Sequence, residues 1–168
     1  LEALEAGAVD IVTKPKMGTR AFFEESRITL CDAVKSAARV TPRPLRAPRG
    51  RPEPPARARR LKTTEKIVVL GASTGGTDAL RVVLEGFPRD APAVAIVQHM
   101  PAGFTQAFAE RLDESLPLEV REARDGDPLL RGRVLIAPGD RHLLVRRDGA
   151  RHVAVLRDGP LVSRHRPS

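Results

Sequence analysis

The sequence predicts an α/β fold. A doubly wound, mainly parallel sheet carries an antiparallel hairpin, and a shorter helix–strand–helix stretch precedes it. Three observations predict this. Residues 66–70 and 93–97 are short apolar runs separated by one amphipathic, helix-length stretch, which makes a βαβ unit with a right-handed crossover. Beyond Lys66 both runs are continuously apolar, as strands are when both faces of a sheet are covered. Further on, residues 142–145 and 153–156 flank Asp148-Gly149, the signature of a hairpin.

Composition bounds the function. The 168 residues, 41% hydrophobic, suffice for one domain or one and a half. Trp and Tyr are absent and there are five Phe, which argues against an aromatic platform for stacked bases. The single cysteine, Cys31, allows no internal disulfide and suits a cytoplasmic protein. No apolar run approaches the roughly 20 residues of a transmembrane span. The start, Leu1-Glu2-Ala3-Leu4-Glu5, is acidic, lacks an initiator Met and is no signal peptide; the chain is expected to be an internal fragment. Between Thr41 and Lys62, eight basic residues against Glu53 alone carry +7 of the net +8. The basicity therefore belongs to one segment and argues for a self-repelling spacer rather than a specific nucleic-acid site.

In chain order, residues 1–10 end a helix near Gly7 and residues 9–13 form a short strand closed by Lys14-Pro15. Residues 19–38 are helical in pattern, with Phe22, Phe23, Leu30, Cys31, Val34 and Ala38 as the apolar stripe. Residues 1–40 thus form one unit. Residues 41–64, rich in Pro and Arg, form an extended linker that no helix can cross. The second unit runs over residues 65–168. Its first helix begins near Gly76, presents Ala79, Leu80, Val83 and Leu84 on one face, and ends by Phe87-Pro88. A second helix follows with Phe104, Phe108 and Leu112 at i, i+4 and i+8, then strands at 118–120 and 133–137.

The chemistry concentrates where the strands end. The first strand runs into Gly71-Ala72-Ser73-Thr74-Gly75-Gly76, a tight turn that lifts Ser73 off the sheet edge and aims backbone N–H groups and a helix dipole at the same place. The next strand ends in Gln98-His99, so Ser73 and His99 leave the same edge, as a serine nucleophile and its base must. The turn has plainer readings. Ser73 could merely cap the helix. The G-x-S-x-G spacing matches a hydrolase nucleophile elbow, although here the elbow follows the first strand and the histidine precedes any acid. A dinucleotide fingerprint needs Gly where Ser73 stands and an acid where Gln98-His99 stands, so it fits worse.

Five ordered motifs go further: Gly71-Ala72-Ser73-Thr74-Gly75-Gly76-Thr77, Gln98-His99-Met100-Pro101-Ala102-Gly103-Phe104, Ala109-Glu110-Arg111-Leu112, Ile136-Ala137-Pro138-Gly139-Asp140-Arg141-His142 and Arg164-His165-Arg166-Pro167-Ser168. Together they resemble the chemotaxis-receptor methylesterase (protein-glutamate methylesterase/glutaminase) family from about Glu65 to Ser168. Glu5-Ala6-Gly7-Ala8-Val9-Asp10 and Thr13-Lys14-Pro15 resemble the last third of a response-regulator receiver domain, the other half of that two-domain family.

The resemblance implies hydrolysis of glutamate methyl esters, and deamidation of glutamines, on methyl-accepting chemotaxis receptors in the cytoplasm. Ser73 is then the nucleophile, His99 the general base and acid, and Thr74 an active-site neighbour. Lys14 would contact the phosphoryl group that the chemotaxis histidine kinase places on a receiver aspartate. Mg²⁺ is expected for that phosphorylation and no cofactor or metal for the esterase. The phospho-accepting aspartate, the Mg²⁺ ligands and the family's third triad residue, an aspartate in a Gly-Met-Gly-x-Asp-Gly motif, all lie outside this sequence. Asp140 is the best internal substitute, though the resemblance gives it no such role, and the chain alone is expected to be weak or inactive. The competing classes are a non-catalytic receiver-linked interaction module and, more distantly, nucleic-acid binding through the arginine-rich linker.

Overall fold

The computed structural model describes residues 66–163 and 165–168, residues 30–39, and Ala3, Ala8, Val9, Ile11, Val12 and Arg27. Lys14, most of the receiver-like segment and the whole 41–64 linker lie outside the described residues. Residues 30–37 are helical as expected, but Cys31, Val34 and Ala38 of the expected apolar stripe are exposed, since no described element covers that side.

The second unit follows the expected alternation: β1 (Ile67–Ala72), α1 (Gly76–Glu85), β2 (Ala93–Gln98), α2 (Phe104–Ser115), β3 (Glu119–Glu122), β4 (Arg133–Ile136), then the hairpin β5 (His142–Asp148) and β6 (Arg151–Arg157). The first four strands form one parallel sheet in the order β1-β2-β4-β3. Alternate side chains of its inner strands face opposite layers, as the pleat requires. Val94, Ile96, Val134 and Ile136 pack against Leu80 and Leu84 of α1 and Phe108, Ala109 and Leu112 of α2. On the other face Leu135 and Ala123 pack against Ala154 and Leu156 of β6. The hairpin thus covers one layer of the sheet and the helices the other.

Two expectations about burial need correction. β2 is buried nearly throughout, but β1 is not: Val69 is 66% exposed and Gly71 is exposed as well. The hairpin sits over β4 and the end of β3 and does not reach β1, so the outer face of β1 is left open. For the same reason α1, which lies at that edge, buries only Gly76, Leu80 and Leu84, at i, i+4 and i+8; Ala79 and Val83 are exposed. The hairpin turn falls on Gly149-Ala150, one residue later than expected. Asp148 still pairs with Arg151, and Gly149 takes the positive φ of 59° that a two-residue turn needs.

The loops at the C-terminal edge are tied together from below. Thr105, fully buried on the first turn of α2, donates to Glu122 at the end of β3 and accepts from the Gly139 N–H at 3.0 Å. Gly139 lies so close to the loop after β2 that a Cβ would meet the Ala102 nitrogen at 2.5 Å and the Pro101 carbonyl carbon at 2.6 Å. The polypeptide after β6 returns to the same place. His142 Nε2 donates to the Pro160 carbonyl at 2.9 Å, Leu143 N–H to the Ser168 carbonyl at 3.1 Å, and Arg166 reaches Asp140 at 2.6 and 2.8 Å.

Replacing Thr105 by Val keeps the shape but leaves the buried Gly139 N–H without an acceptor. The expected cost is about 1–3 kcal/mol of folding stability, read by urea denaturation. An unchanged midpoint would show that the Gly139 loop is held by other contacts.

Candidate active site

β1 and β2 pair in parallel with Ala72 opposite Gln98, and the ladder closes with His99 N–H donating to the Ala72 carbonyl at 3.2 Å. Ser73 and His99 therefore leave adjacent strands at the same level. The structure brings their side chains together: His99 Nδ1 lies 3.2 Å from Ser73 Oγ. For this contact to move a proton from the hydroxyl, the neutral ring must carry its hydrogen on Nε2 and present the Nδ1 lone pair.

Ser73 does not cap the following helix. The N-cap of α1 is Gly75, at φ 75°, and no side chain caps it. A left-handed residue there turns the backbone from strand to helix within three residues, a conformation that suits Gly. α2 starts the same way behind Gly103, at φ 88°. Thr74 sits in the first of these turns, between Ser73 and Gly75. Asp140, the internal substitute considered for the triad acid, is held by the Arg166 guanidinium, and Lys14 lies outside the described residues.

Two residues of the site carry no assignment from sequence. Gln98 is a buried polar side chain at the end of an otherwise apolar strand, and that contrast and its place in the Gln98-His99-Met100-Pro101 motif are its signals in the sequence. Its Nε2 donates to the Ser73 carbonyl at 2.9 Å and to the His99 carbonyl at 3.4 Å, stapling the two turns that bear Ser73 and His99. His165 stacks on His99, with ring centroids 4.1 Å apart and planes 1° from parallel. Its motif was visible in the sequence, but nothing local tells which ring it will meet.

A solvent-open cleft of about 440 Å³ runs along the C-terminal half of β1 to this pair; Val69, Gly71, Ser73, Val97, His99 and Ser168 line it. Among the described residues no group of three His, Cys, Asp or Glu side chains is placed to hold a metal ion. Nor is any helix there long and apolar enough to cross a membrane. The arrangement has the parts of nucleophilic acyl transfer: a hydroxyl, an imidazole beside it, and an open cleft for a carbonyl compound.

A family model described as CheB methylesterase matches residues 68–168. A relative from Geobacter metallireducens, named protein-glutamate methylesterase/protein-glutamine glutaminase 3, is 53% identical, the match covering all of this chain and 50% of the relative. One from Anaeromyxobacter dehalogenans, protein-glutamate methylesterase/protein-glutamine glutaminase 5, is 56% identical, covering all of this chain and 49% of its own length. The chain thus spans about half the length of the curated relatives it matches. Among solved structures, the CheB methylesterase catalytic domain of Thermotoga maritima superposes with a TM-score of 0.60 at 39% identity, covering 62% of this chain and 56% of that one.

The turn geometry yields a test of its own. A Cβ on Gly76 would meet Gln98 Oε1 at 2.1 Å and the Ala72 Cβ at 2.6 Å. Gly→Ala inside a helix usually stabilises by roughly 0.5–1 kcal/mol. Here Gly76→Ala is expected to destabilise by about 1–3 kcal/mol, because the Gln98 amide is pinned and Ala72 is backbone-bound. Chemical denaturation decides; a gain in stability would mean that the Ser73 turn yields easily.

Proposed function

The chain belongs to the CheB methylesterase family, and from that premise we propose that Ser73 and His99 are the nucleophile and the general base of a protein-glutamate methylesterase and glutaminase acting on chemotaxis receptors. The observation that carries this reading is the 3.2 Å contact of His99 Nδ1 with Ser73 Oγ, at the ends of paired parallel strands beside an open cleft. The names of the relatives supply the substrate class: a methyl ester of a glutamate side chain, or the amide of a glutamine.

The chemistry follows from the atoms present. Ser73 Oγ attacks the ester carbonyl carbon as its proton passes to His99 Nδ1. The carbonyl oxygen becomes an oxyanion, which needs hydrogen-bond donors at about 3 Å. His99 then gives its proton to the departing methoxide, which leaves as methanol, and the glutamyl group stays on Ser73. Water, deprotonated by His99, attacks that acyl-enzyme and releases the glutamate carboxylate and Ser73. With a glutamine substrate the leaving group is ammonia. Thr74, next to the nucleophile, shapes this site.

The rest of the reading concerns residues beyond those two side chains. The acid that orients His99 through Nε2 is proposed to come from a segment outside this sequence, in which no Gly-Met-Gly-x-Asp-Gly motif occurs. Residues 1–40 are proposed to belong to a receiver whose phosphorylation by the chemotaxis kinase relieves inhibition. Lys14 would contact the phosphoryl group, and a Mg²⁺ ion would be held by residues outside this sequence. A cytoplasmic location goes with that reading.

The test is methanol release from membranes carrying methylated receptors, using the full-length product of the gene that encodes this chain. Ser73→Ala and His99→Gln are each expected to lower the rate by about 10⁴-fold or more with an unchanged circular dichroism spectrum. Near-normal release by the folded Ser73→Ala variant would remove Ser73 as nucleophile. The 168-residue chain assayed beside the full-length product tests where the acid lies. A clearly slower chain is expected, whereas equal rates would place the acid within it.

A further inference from the structure

Neither hydroxyl attack nor proton return by His99 requires a second histidine, yet His165 lies flat on the His99 ring at 4.1 Å. A histidine side chain has two torsions, and ordering a half-buried one costs entropy that its surroundings must offset. His165 is ordered by three independent constraints. Its Nδ1 donates to the Ser163 carbonyl at 2.8 Å, and Ser163 holds the left-handed φ of 49°. Val162 and His165 exchange backbone hydrogen bonds of 3.0 Å in both directions, closing the turn that carries the ring. The next two residues are anchors: Arg166 binds Asp140 and the Gly159 carbonyl, and Pro167 is fully buried.

These anchors reach the sheet. Asp140, at φ 69°, follows Gly139, and Gly139 is held by Thr105 against the loop that bears His99. A continuous set of contacts therefore runs from Glu122 and Thr105 through Gly139, Asp140 and Arg166 to the ring of His165. With its Nδ1 hydrogen committed to a backbone carbonyl, His165 presents His99 with an aromatic face.

We propose that His165 is a positioning residue for the Ser73–His99 reaction. Its ring keeps the His99 plane aligned, with Nδ1 on Ser73 Oγ. It also gives a π face to the imidazolium that forms on His99 when the Ser73 proton arrives there. The proton count is that of the esterase step itself: one proton moves from Ser73 Oγ to His99 Nδ1, and His165 gains and loses none. Asp140 serves this arrangement through Arg166. The proposal rests on the esterase reading for its catalytic consequence, and on the stack alone for its geometry.

The experiment uses the full-length gene product and membranes carrying methylated receptors. His165→Ala is expected to lower kcat about tenfold while KM stays within about twofold, the mark of a misaligned base. His165→Phe, which keeps an aromatic face, is expected to restore most of kcat; His165→Gln, which keeps a polar group but no face, is not. An unchanged kcat in His165→Ala, or rescue by Gln equal to that by Phe, overturns the proposal. Should the Ala variant not fold, the Phe and Gln variants decide between the same outcomes. In the unaltered protein, a nuclear Overhauser contact between the ring protons of His99 and His165 is expected, and its absence overturns the stack. That contact needs no turnover, so failure of the stack is distinguished from failure of the esterase reading, which Ser73→Ala reports.

Discussion

Ala72 lies opposite Gln98 in the parallel ladder of β1 and β2, and that register sets the rest of the site. The side-chain period of a strand is two, so a slip by one residue would turn Val68 and Leu70 out of the core and Val69 into it. It would also part Ser73 from His99, because each is the first residue past the paired segment. Two contacts hold the register where it matters. The His99 N–H adds one further bond to the Ala72 carbonyl, and the Gln98 side chain spans the Ser73 and His99 carbonyls. Both end on backbone carbonyls past or at the strand ends, where a parallel ladder would otherwise fray.

The closeness that this register imposes explains the small residues around it. Gly76 has no room for a Cβ beside Gln98, and Gly139 none beside Pro101 and Ala102. At Gly75 and Gly103 the constraint is conformational, since both helices begin behind a left-handed residue. Glycine therefore serves two separate needs within motifs that look alike in sequence: close approach at 76 and 139, positive φ at 75 and 103. A motif match cannot separate these needs; the backbone angle and the neighbouring atoms do.

The elements were legible in sequence because periodicity and turn chemistry are local. The βαβ unit, the helix carrying Phe104, Phe108 and Leu112, and the hairpin could be read from spacing alone. So could the shared edge of Ser73 and His99, since parallel strands joined by a right-handed crossover end on the same side. What could not be read depends on which element covers which. Val69 and Val83 are as apolar as their buried neighbours, and only the place of β1 at the edge of the described sheet leaves them exposed. Gln98 read as a failed acid in a cofactor pattern, and its staple exists only once two turns face each other. His165 belonged to a motif, but its meeting with His99 requires the chain to return from the far end of the hairpin.

That return is built at some cost. Asp140 and Ser163 are the non-glycine residues with left-handed φ among those described, and they stand on the two segments that Arg166 joins. A left-handed non-glycine residue costs on the order of 1–2 kcal/mol, somewhat less for short polar side chains that bond locally. Such strain persists only where neighbours over-determine it. Here they do: Asp140 is fixed by the Arg166 fork and by its place after Gly139, and the Ser163 carbonyl by the His165 ring. Neither residue belongs to the core clusters of the sheet. The two strained turns are therefore best explained by what they place, an imidazole face over His99, and the stability of the parallel sheet beneath is what lets the chain carry them.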